Sequence, residues 1–340
     1  MNSSVAIVIL NFNGKHWLEQ FLPSVIAHSE SAEIIVADNA STDGSETWFK
    51  AHYPQLRWIN NNSNLGYSGG YNTALSQIVA DIFVLLNSDI EVSAGWLKPV
   101  VDFLTNHPQA AAAQPKILQF NQKTHFEYAG ASGGFIDRLG FPFCRGRVFE
   151  SYEEDLGQYD DIDEVFWASG ACLFVKSSAF HEIGGLDDSF FAHMEEIDLC
   201  WRLKNLGYSI WVVPQSKVYH VGGGTLNKQN SRKTYLNFRN NIELIYKNIE
   251  QNFLVKTIFL RMILDGVAAF KFLFSNGYAH FFAIVRAHLH FYRMLPKIRK
   301  KRKILRSKIS NRNTKGVYLG SIVYDYFIKN KKSFSDIVKH

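Results

Sequence analysis

The stretch VLLNSDIEV, residues 84–92, decides how this chain is read. Its first half is a branched-chain apolar run of the kind that forms a buried strand. It stops abruptly on Asn87, Ser88 and Asp89. Such a trio is either a simple turn or a set of oxygen ligands delivered to the edge of a sheet. Two similar runs precede it, VAIVIL (5–10) and EIIVA (33–37). Helical patterns, HWLEQFLPSVIAHS (16–29) and GSETWFKAHY (44–53), lie between the runs. This alternation predicts a doubly wound α/β unit in the first 110 residues. Ligands of such sheets bind beyond the carboxyl ends of the strands. Three of those ends are polar here: Asn11-Phe12-Asn13, Asp38-Asn39-Ala40-Ser41 and the trio itself. One polar strand end is ordinary loop chemistry, whereas three on one edge predict a site.

Farther along, NNSNLGYSGGYNTAL (61–75) reads as a Gly/Asn loop, and 120–165 as a flexible, Gly- and aromatic-rich excursion with an acidic stretch. Structure is expected to resume at VFWASGACLFVKSSAFHEIGG (165–185), a strand and then a helix closed by Gly184-Gly185. IDLCWRLKNLG reads as a further helix stopped by Gly207, followed by the strand YSIWVVP.

At 340 residues the chain can bury a large core, and its 46% apolar and 20% charged composition excludes wholesale disorder. Three cysteines without short-range pairing argue against a disulfide framework and for a reducing compartment. The N-terminus lacks a basic leader, so its short apolar run is expected to be a first strand of a cytoplasmic protein. The net charge of +6 hides a segregation: residues 251–340 hold 19 Lys or Arg against 3 Asp or Glu. A basic tail on an acidic body is expected to face something anionic. Residues 253–274 are long enough to span a bilayer but contain Lys256, Arg261, Asp265 and Lys271 on one half of the helix. Ile258, Phe259, Met262, Ile263, Phe270 and Leu273 fill the other arc. Four charges disfavour a span and suit an interfacial amphipathic helix, with RMLPKIRKKRKILRSK (293–308) as a polybasic neighbour. The alternative is a helix packed on the main body with a solvated basic end. No helix-turn-helix, zinc or stacking module accompanies the charge, so nucleic acid is not the expected partner.

An Asp at a strand end is a normal oxygen ligand for Mg²⁺ or Mn²⁺, which complete their shells with water and substrate phosphates. Gly66, Gly69 and Gly70 would let backbone N–H groups approach a phosphate or sugar, although a turn explains them equally well. In FFAHMEEIDLCWR (190–202), Glu195, Glu196 and Asp198 open a helix, where acids favour the dipole. Asp198 also has an i,i+4 partner in Arg202. Glu196 points about 100° away from Glu195 and is the freest to act as a general base. His220 follows a strand and precedes three glycines, which favours a ligand or phosphate role.

Taken in order, VAIVILNFNG, EIIVADNASTDGS, NLGYSGGYN, VLLNSDIEV, ASGACLFVK, FFAHMEEIDLCWR and VYHVGGGT resemble family 2 inverting glycosyltransferases of the GT-A fold, in the rhamnosyltransferase-like branch. The resemblance implies a mixed, mainly parallel α/β sheet flanked by helices over residues 1–240. The amphipathic, polybasic helical extension would occupy 241–340. It also implies transfer of a sugar from a nucleotide-diphosphate donor to a hydroxyl of a glycan or lipid-linked acceptor. On the matching positions, Asn11, Asn13 and Asp38 would contact the nucleobase, and Asn64, Gly66 and Tyr67 the nucleoside and sugar. Asn87-Ser88-Asp89 would be the DxD motif, with Asp89 and His220 at a divalent metal. Ser169 and Gly170 would form the floor, and Glu195-Glu196 would hold the catalytic acid pair, with Glu196 as base.

The sequence departs from the family pattern at Asn87, where the motif's first Asp stands, and at Glu196, one methylene longer than the usual Asp. Two rival readings remain, a nucleotidyltransferase and a non-catalytic membrane scaffold with a decayed site. The first lacks a basic, Gly-rich triphosphate signature near Lys15, and the second sits poorly with the retained acids. The expected location is cytoplasmic, peripheral on the inner face of the cell membrane.

Overall fold

The computed structural model describes residues 3–29, 31–222, 230–275, 277–309 and 311–338. The first half alternates as expected: β1 (Val5–Asn11), α1 (Lys15–His28), β2 (Glu33–Asp38), α2 (Ser45–His52) and β3 (Arg57–Asn60). Then come α3 (Gly66–Leu75), β4 (Ile82–Asn87), β5 (Ile90–Val92), α4 (Leu97–Asn106) and β6 (Ala110–Gln119). β1 runs parallel to β2 and β4, and the register sets Asn11 beside Asp38 and Leu10 beside Asn87. The three polar strand ends therefore share one edge.

The segment 61–75, read as a loop, turns helical at Gly66. Gly66 sits at φ +69°, and a Cβ there would lie 2.2 Å from the Phe191 carbonyl. A Cβ on Gly70 would meet the Asn39 amide at 2.8 Å. These two glycines answer close packing, which explains why composition alone hid the helix.

Residues 120–165 are not a flexible excursion. They carry β7 (Gly134–Asp137), β8 (Pro142–Cys144), β9 (Arg147–Val148), β10 (Ser151–Tyr152) and β11 (Asp163–Val165). Buried charges pin this region, with Lys116 against Asp155 and Asp160, and Arg145 against Asp161 and Asp163. A buried cation is tolerated only when it is paired in this way.

The chain continues through β12 (Cys172–Lys176), α5 (Ser177–Glu182), α6 (Glu195–Asn205) and β13 (Ser209–His220). The main sheet has the order β11-β13-β6-β12-β4-β1-β2-β3, with β5 paired to β13. β12 runs antiparallel to β4 and β6, while β6 and β13 are parallel. Apolar clusters fill both faces, one around Leu85, Leu173 and Leu203 and the other around Val84, Trp96 and Phe174.

Three long helices follow, α7 (Ser231–Asn248), α8 (Gln251–Ser275) and α9 (Tyr278–Lys308), and then β14 (Val317–Tyr318), α10 (Ile322–Phe327) and α11 (Phe334–Ile337). The expected boundary at 240 falls inside α7. Beyond α9 the chain returns: β14 adds to β7 in a second sheet ordered β10-β9-β8-β7-β14, and Phe334 packs on Phe135 and Phe143. Among the described residues, no helix is long and apolar enough to cross a membrane.

Candidate active site

A cleft of about 850 Å³ opens at the carboxyl edge of β1 and β4. It gathers Asn13, Asn64, Gly66, Tyr67, Asn87, Ser88, Asp89, Ser169, Gly170, Glu195, Glu196 and His220 from six separate stretches of sequence. The antiparallel pairing of β12 with β4 explains part of this. It places Cys172 beside Leu86, and the Asn87 N–H donates to the Ala171 carbonyl at 2.9 Å. The Tyr67 hydroxyl donates to the Gly170 carbonyl at 2.6 Å, and the Tyr67 N–H to Phe191 at 2.7 Å. One residue of α3 thus ties the floor to the loop that precedes α6. Gly170 admits no larger residue there, since a Cβ would come 2.9 Å from the Tyr67 hydroxyl oxygen.

β5 pairs with β13 so that His220 stands opposite Ile90, and its Nε2 lies 3.1 Å from Asp89 Oδ1. On the far side, His220 Nδ1 sits 3.2 Å from Glu127 Oε2, near enough for charge attraction but off the line of a hydrogen bond. Burial alone would lower the histidine's pKa; Asp89 and Glu127 outweigh it and raise the value well above the ordinary one. Burial would likewise raise Asp89, but the facing imidazolium holds it below the usual carboxylate range. Glu127 was invisible to sequence reasoning because it lies in the segment taken for an excursion. Residues 223–225 of the glycine run after His220 lie outside the described residues.

The donor set at this end of the cleft is one carboxylate and one imidazole. Among the described residues, no group of three or more His, Cys, Asp or Glu side chains is arranged to hold a metal ion. A hard divalent cation needs fewer protein ligands when a diphosphate and water complete its shell, so Asp89 and His220 fit that kind of cation and not a closed protein cage. Arg232 and Lys233, at the start of α7, also line the cleft. They were not singled out from the sequence, although a basic pair just after a glycine-rich segment was a usable signal.

Glu195 and Glu196, which line the same cleft, begin α6, and an oxygen of each is buried without a hydrogen-bond partner. Burial raises both acids. Glu195 goes well above its ordinary value, with the neighbouring Glu196 adding to the effect, while Glu196 reaches about 7. The pair therefore carries at most one charge near neutrality, and Glu196 is the more readily ionised of the two. The loop before it is strained: His193 and Met194 hold φ of 72° and 73° without being glycine. The Asn240 amide secures this turn by donating to the carbonyls of Ala192 and His193 at 2.8 and 2.7 Å. His193 also lines the cleft, and burial together with nearby Lys233 pushes it down to about 4.

Three expected site residues lie outside the cleft wall. Asp198 is fully buried, with Oδ2 accepting from Arg202 Nε at 2.7 Å and Oδ1 facing Lys247 Nζ at 2.7 Å and Asn248 at 2.8 Å. Its carboxylate is fully engaged in holding α6 to α7, which removes it from the catalytic set. Asn11 donates to Asp38 Oδ1 at 2.8 Å, and Asp38 also accepts from the Ser41 N–H at 2.8 Å. Both are buried and shape the loop beneath Asn13; neither faces the open cleft.

The profile of the family described as "Glycosyl transferase family 2" matches residues 6–183. An N-acetylglucosaminyl-diphospho-decaprenol L-rhamnosyltransferase of Mycobacterium tuberculosis is 28% identical over 239 residues, covering 65% of this chain and 76% of its own length. A low-salt glycan biosynthesis hexosyltransferase of Haloferax volcanii is 23% identical, covering 85% of this chain and 91% of its own. Among solved structures, the mannosyltransferase PcManGT of Pyrobaculum calidifontis, in complex with GDP-Man and Mn²⁺, superposes with a TM-score of 0.52 at 14% identity. That superposition covers 97% of this chain and 89% of the other.

Proposed function

This chain belongs to glycosyl transferase family 2, in its rhamnosyltransferase-like branch, and we propose that it transfers a sugar, with inversion, from a nucleotide-diphosphate donor to a hydroxyl of a glycan or lipid-linked acceptor. The process served is surface polysaccharide synthesis. The observation that carries the reading is the buried acid pair lining the same cleft as Asp89, His220, Arg232 and Lys233.

In this reading the acceptor oxygen attacks the anomeric carbon as the bond from that carbon to the diphosphate oxygen breaks. Glu196 takes the hydroxyl proton, a contribution of about 10²–10⁴ in rate. Glu195 stays protonated, so it neither competes for the proton nor repels the departing charge. Arg232 and Lys233 bring positive charge to the cleft that receives the diphosphate. His220 adds to it while protonated and would give up that proton to hold a cation. A Mg²⁺ or Mn²⁺ held by Asp89 and His220 would add Lewis-acid stabilisation of the leaving group when bound. The GDP-Man and Mn²⁺ complex of the structural neighbour supports a nucleotide-diphosphate donor and a divalent cation here. The name of the mycobacterial relative supports a lipid-linked acceptor, and the inner face of the cell membrane is where this reading places the encounter.

The test is a panel of UDP-, dTDP- and GDP-sugars with Mg²⁺ or Mn²⁺, read as nucleoside diphosphate release. Turnover of one donor class is expected. Pyrophosphate release from a nucleoside triphosphate and sugar phosphate would mark a nucleotidyltransferase, and no turnover of any kind a scaffold. Asp89→Ala is expected to weaken binding of the productive nucleotide in the presence of Mn²⁺ at least tenfold by calorimetry, about 1.4 kcal/mol. Unchanged affinity would remove Asp89 from the cation site.

Because burial holds Glu196 near 7, it is protonated and idle below that pH and ionised above it. The turnover number should therefore rise tenfold per pH unit on the acid side and level off above about 7. A flat profile between pH 5.5 and 8.5 (roughly the span over which such a group titrates) would exclude Glu196 as the base.

A further inference from the structure

The face that α8 turns toward the protein holds an ion pair, while Lys256 and Lys271 stay exposed. Leu254, Thr257, Arg261, Asp265 and Ala269 are buried. Arg261 lies 3.7 Å from the Phe141 ring centre, donates to the Leu139 carbonyl at 3.1 Å, and pairs with Asp265, which also meets His288 at 3.1 Å. The opposite side is left to the outside: Phe259, Ile263, Val267, Phe270 and Phe274 are all exposed, Phe274 by 87%. A helix that hides its ion pairs and displays its aromatics reverses the usual arrangement of a surface helix. It also departs from the arc expected from sequence, because Ile258 and Met262 pack inward beside Phe291.

α9 repeats the pattern. Tyr278, Phe282, Val285, Leu289 and Tyr292 recur every three or four residues and are exposed. Phe281 stands 5.6 Å from Phe270 and 5.4 Å from Phe282, which joins the two stripes near the turn. Beyond Tyr292 the same face changes character. At 100° per residue, Lys300 and Lys303 fall within about 40° of the line of the aromatic stripe. Arg293, Lys297 and Arg299 are exposed beside them, and α9 contains no acidic residue at all. Two cations of the polybasic run are already spent inside the protein, Lys301 on Asp187 and Arg302 on the Tyr246 carbonyl.

We propose that the α8–α9 hairpin lies flat in the surface of an anionic lipid bilayer. The aromatic stripe enters the boundary of the acyl chains, and the far half of α9 rests on the headgroups. The inference deepens the membrane-side reading given above, but its grounds are the hairpin's own surface and not the transfer chemistry. A flat pose is required because the apolar and basic halves follow each other along one face of a helix about 46 Å long. A second copy covering the apolar half through the same hairpin would bring another acid-free α9 to the basic half. An anionic lipid surface complements both.

The full-length chain is tested by sedimentation with vesicles of phosphatidylcholine alone and of phosphatidylcholine with phosphatidylglycerol, at low and high salt. Binding to the anionic vesicles, weakened by salt and at least tenfold by Phe270→Asp with Phe282→Asp, supports the proposal. A weaker, additive loss is expected for Lys300→Gln with Lys303→Gln. All four positions are exposed, so the variants should keep the parent's circular dichroism and its release of nucleoside diphosphate in solution. No binding to either vesicle overturns the proposal, as does binding that the aromatic substitutions leave unchanged. A dimer that the aromatic substitutions dissolve, without vesicle binding, would assign the face to self-association instead. A chain that turns over donor but ignores vesicles refutes this inference alone. One that binds vesicles but turns over no donor refutes the transferase reading alone.

Discussion

Glu196→Gln is expected to lower the turnover number by about 10²–10⁴ while leaving nucleotide affinity within a few-fold of the parent. The amide has the shape of the acid and fits the same buried position, but it cannot accept the acceptor's proton. Stability should not suffer. The parent carries a carboxyl group whose ionisation burial opposes, with one oxygen unpartnered, and a neutral amide removes that conflict. Single-turnover kinetics beside nucleotide calorimetry separate the two effects. Glu195→Gln is the internal control: Glu195 is held protonated, so the substitution removes no base and should cost far less. Should Glu195→Gln abolish turnover and Glu196→Gln spare it, the two roles would exchange.

Asp198→Ala is expected to act on the fold, at a cost of about 3–5 kcal/mol. The substitution leaves Arg202 and Lys247 buried beside each other with their shared counter-ion gone. Lys247 retains Asp187, whose carboxyl that lysine and Lys301 hold far below the usual range against the opposing effect of burial, so the damage concentrates at the α6–α7 seam. A lower denaturation midpoint in urea, with the acid limb of the pH profile unmoved near 7, is the expected signature. A change in that limb without loss of stability would return Asp198 to the catalytic set.

Much of this arrangement was legible from residue pattern. The strand ends at 11, 38 and 87 were readable because buried parallel strands are continuous apolar runs, and a sudden polar trio marks where they leave the sheet. The acid pair was readable because a helix start concentrates carboxylates, although pattern could not separate Glu196 from Asp198. That distinction depends on Lys247, about fifty residues away. The second sheet was hidden for a different reason. Its strands are two to four residues long, too short for a period to emerge, and β14 arrives only after some 180 further residues. Glu127 was lost with them. In α8, periodicity grouped Phe259, Ile263 and Phe270 correctly but put Ile258 and Met262 with them, and it could not tell that Arg261 and Asp265 face inward while Lys256 and Lys271 stay exposed. Arg261 and Asp265 read as surface because their partners, Phe141, Leu139 and His288, are distant in sequence.

The loop that presents the acid pair is braced from the helical region after residue 230. Asn240 holds the carbonyls of Ala192 and His193, Arg239 donates to the Ser189 carbonyl at 2.8 Å, and Lys247 and Lys301 clasp Asp187. The helices after residue 230 and the loop before α6 are thus one mechanical unit. A chimera that joins this sheet to a relative's C-terminal helices would set Glu195 and Glu196 on scaffolding shaped for another loop. Exchanging this loop between such proteins therefore calls for transplanting residues 186–194 together with α7 and α9, as a matched set.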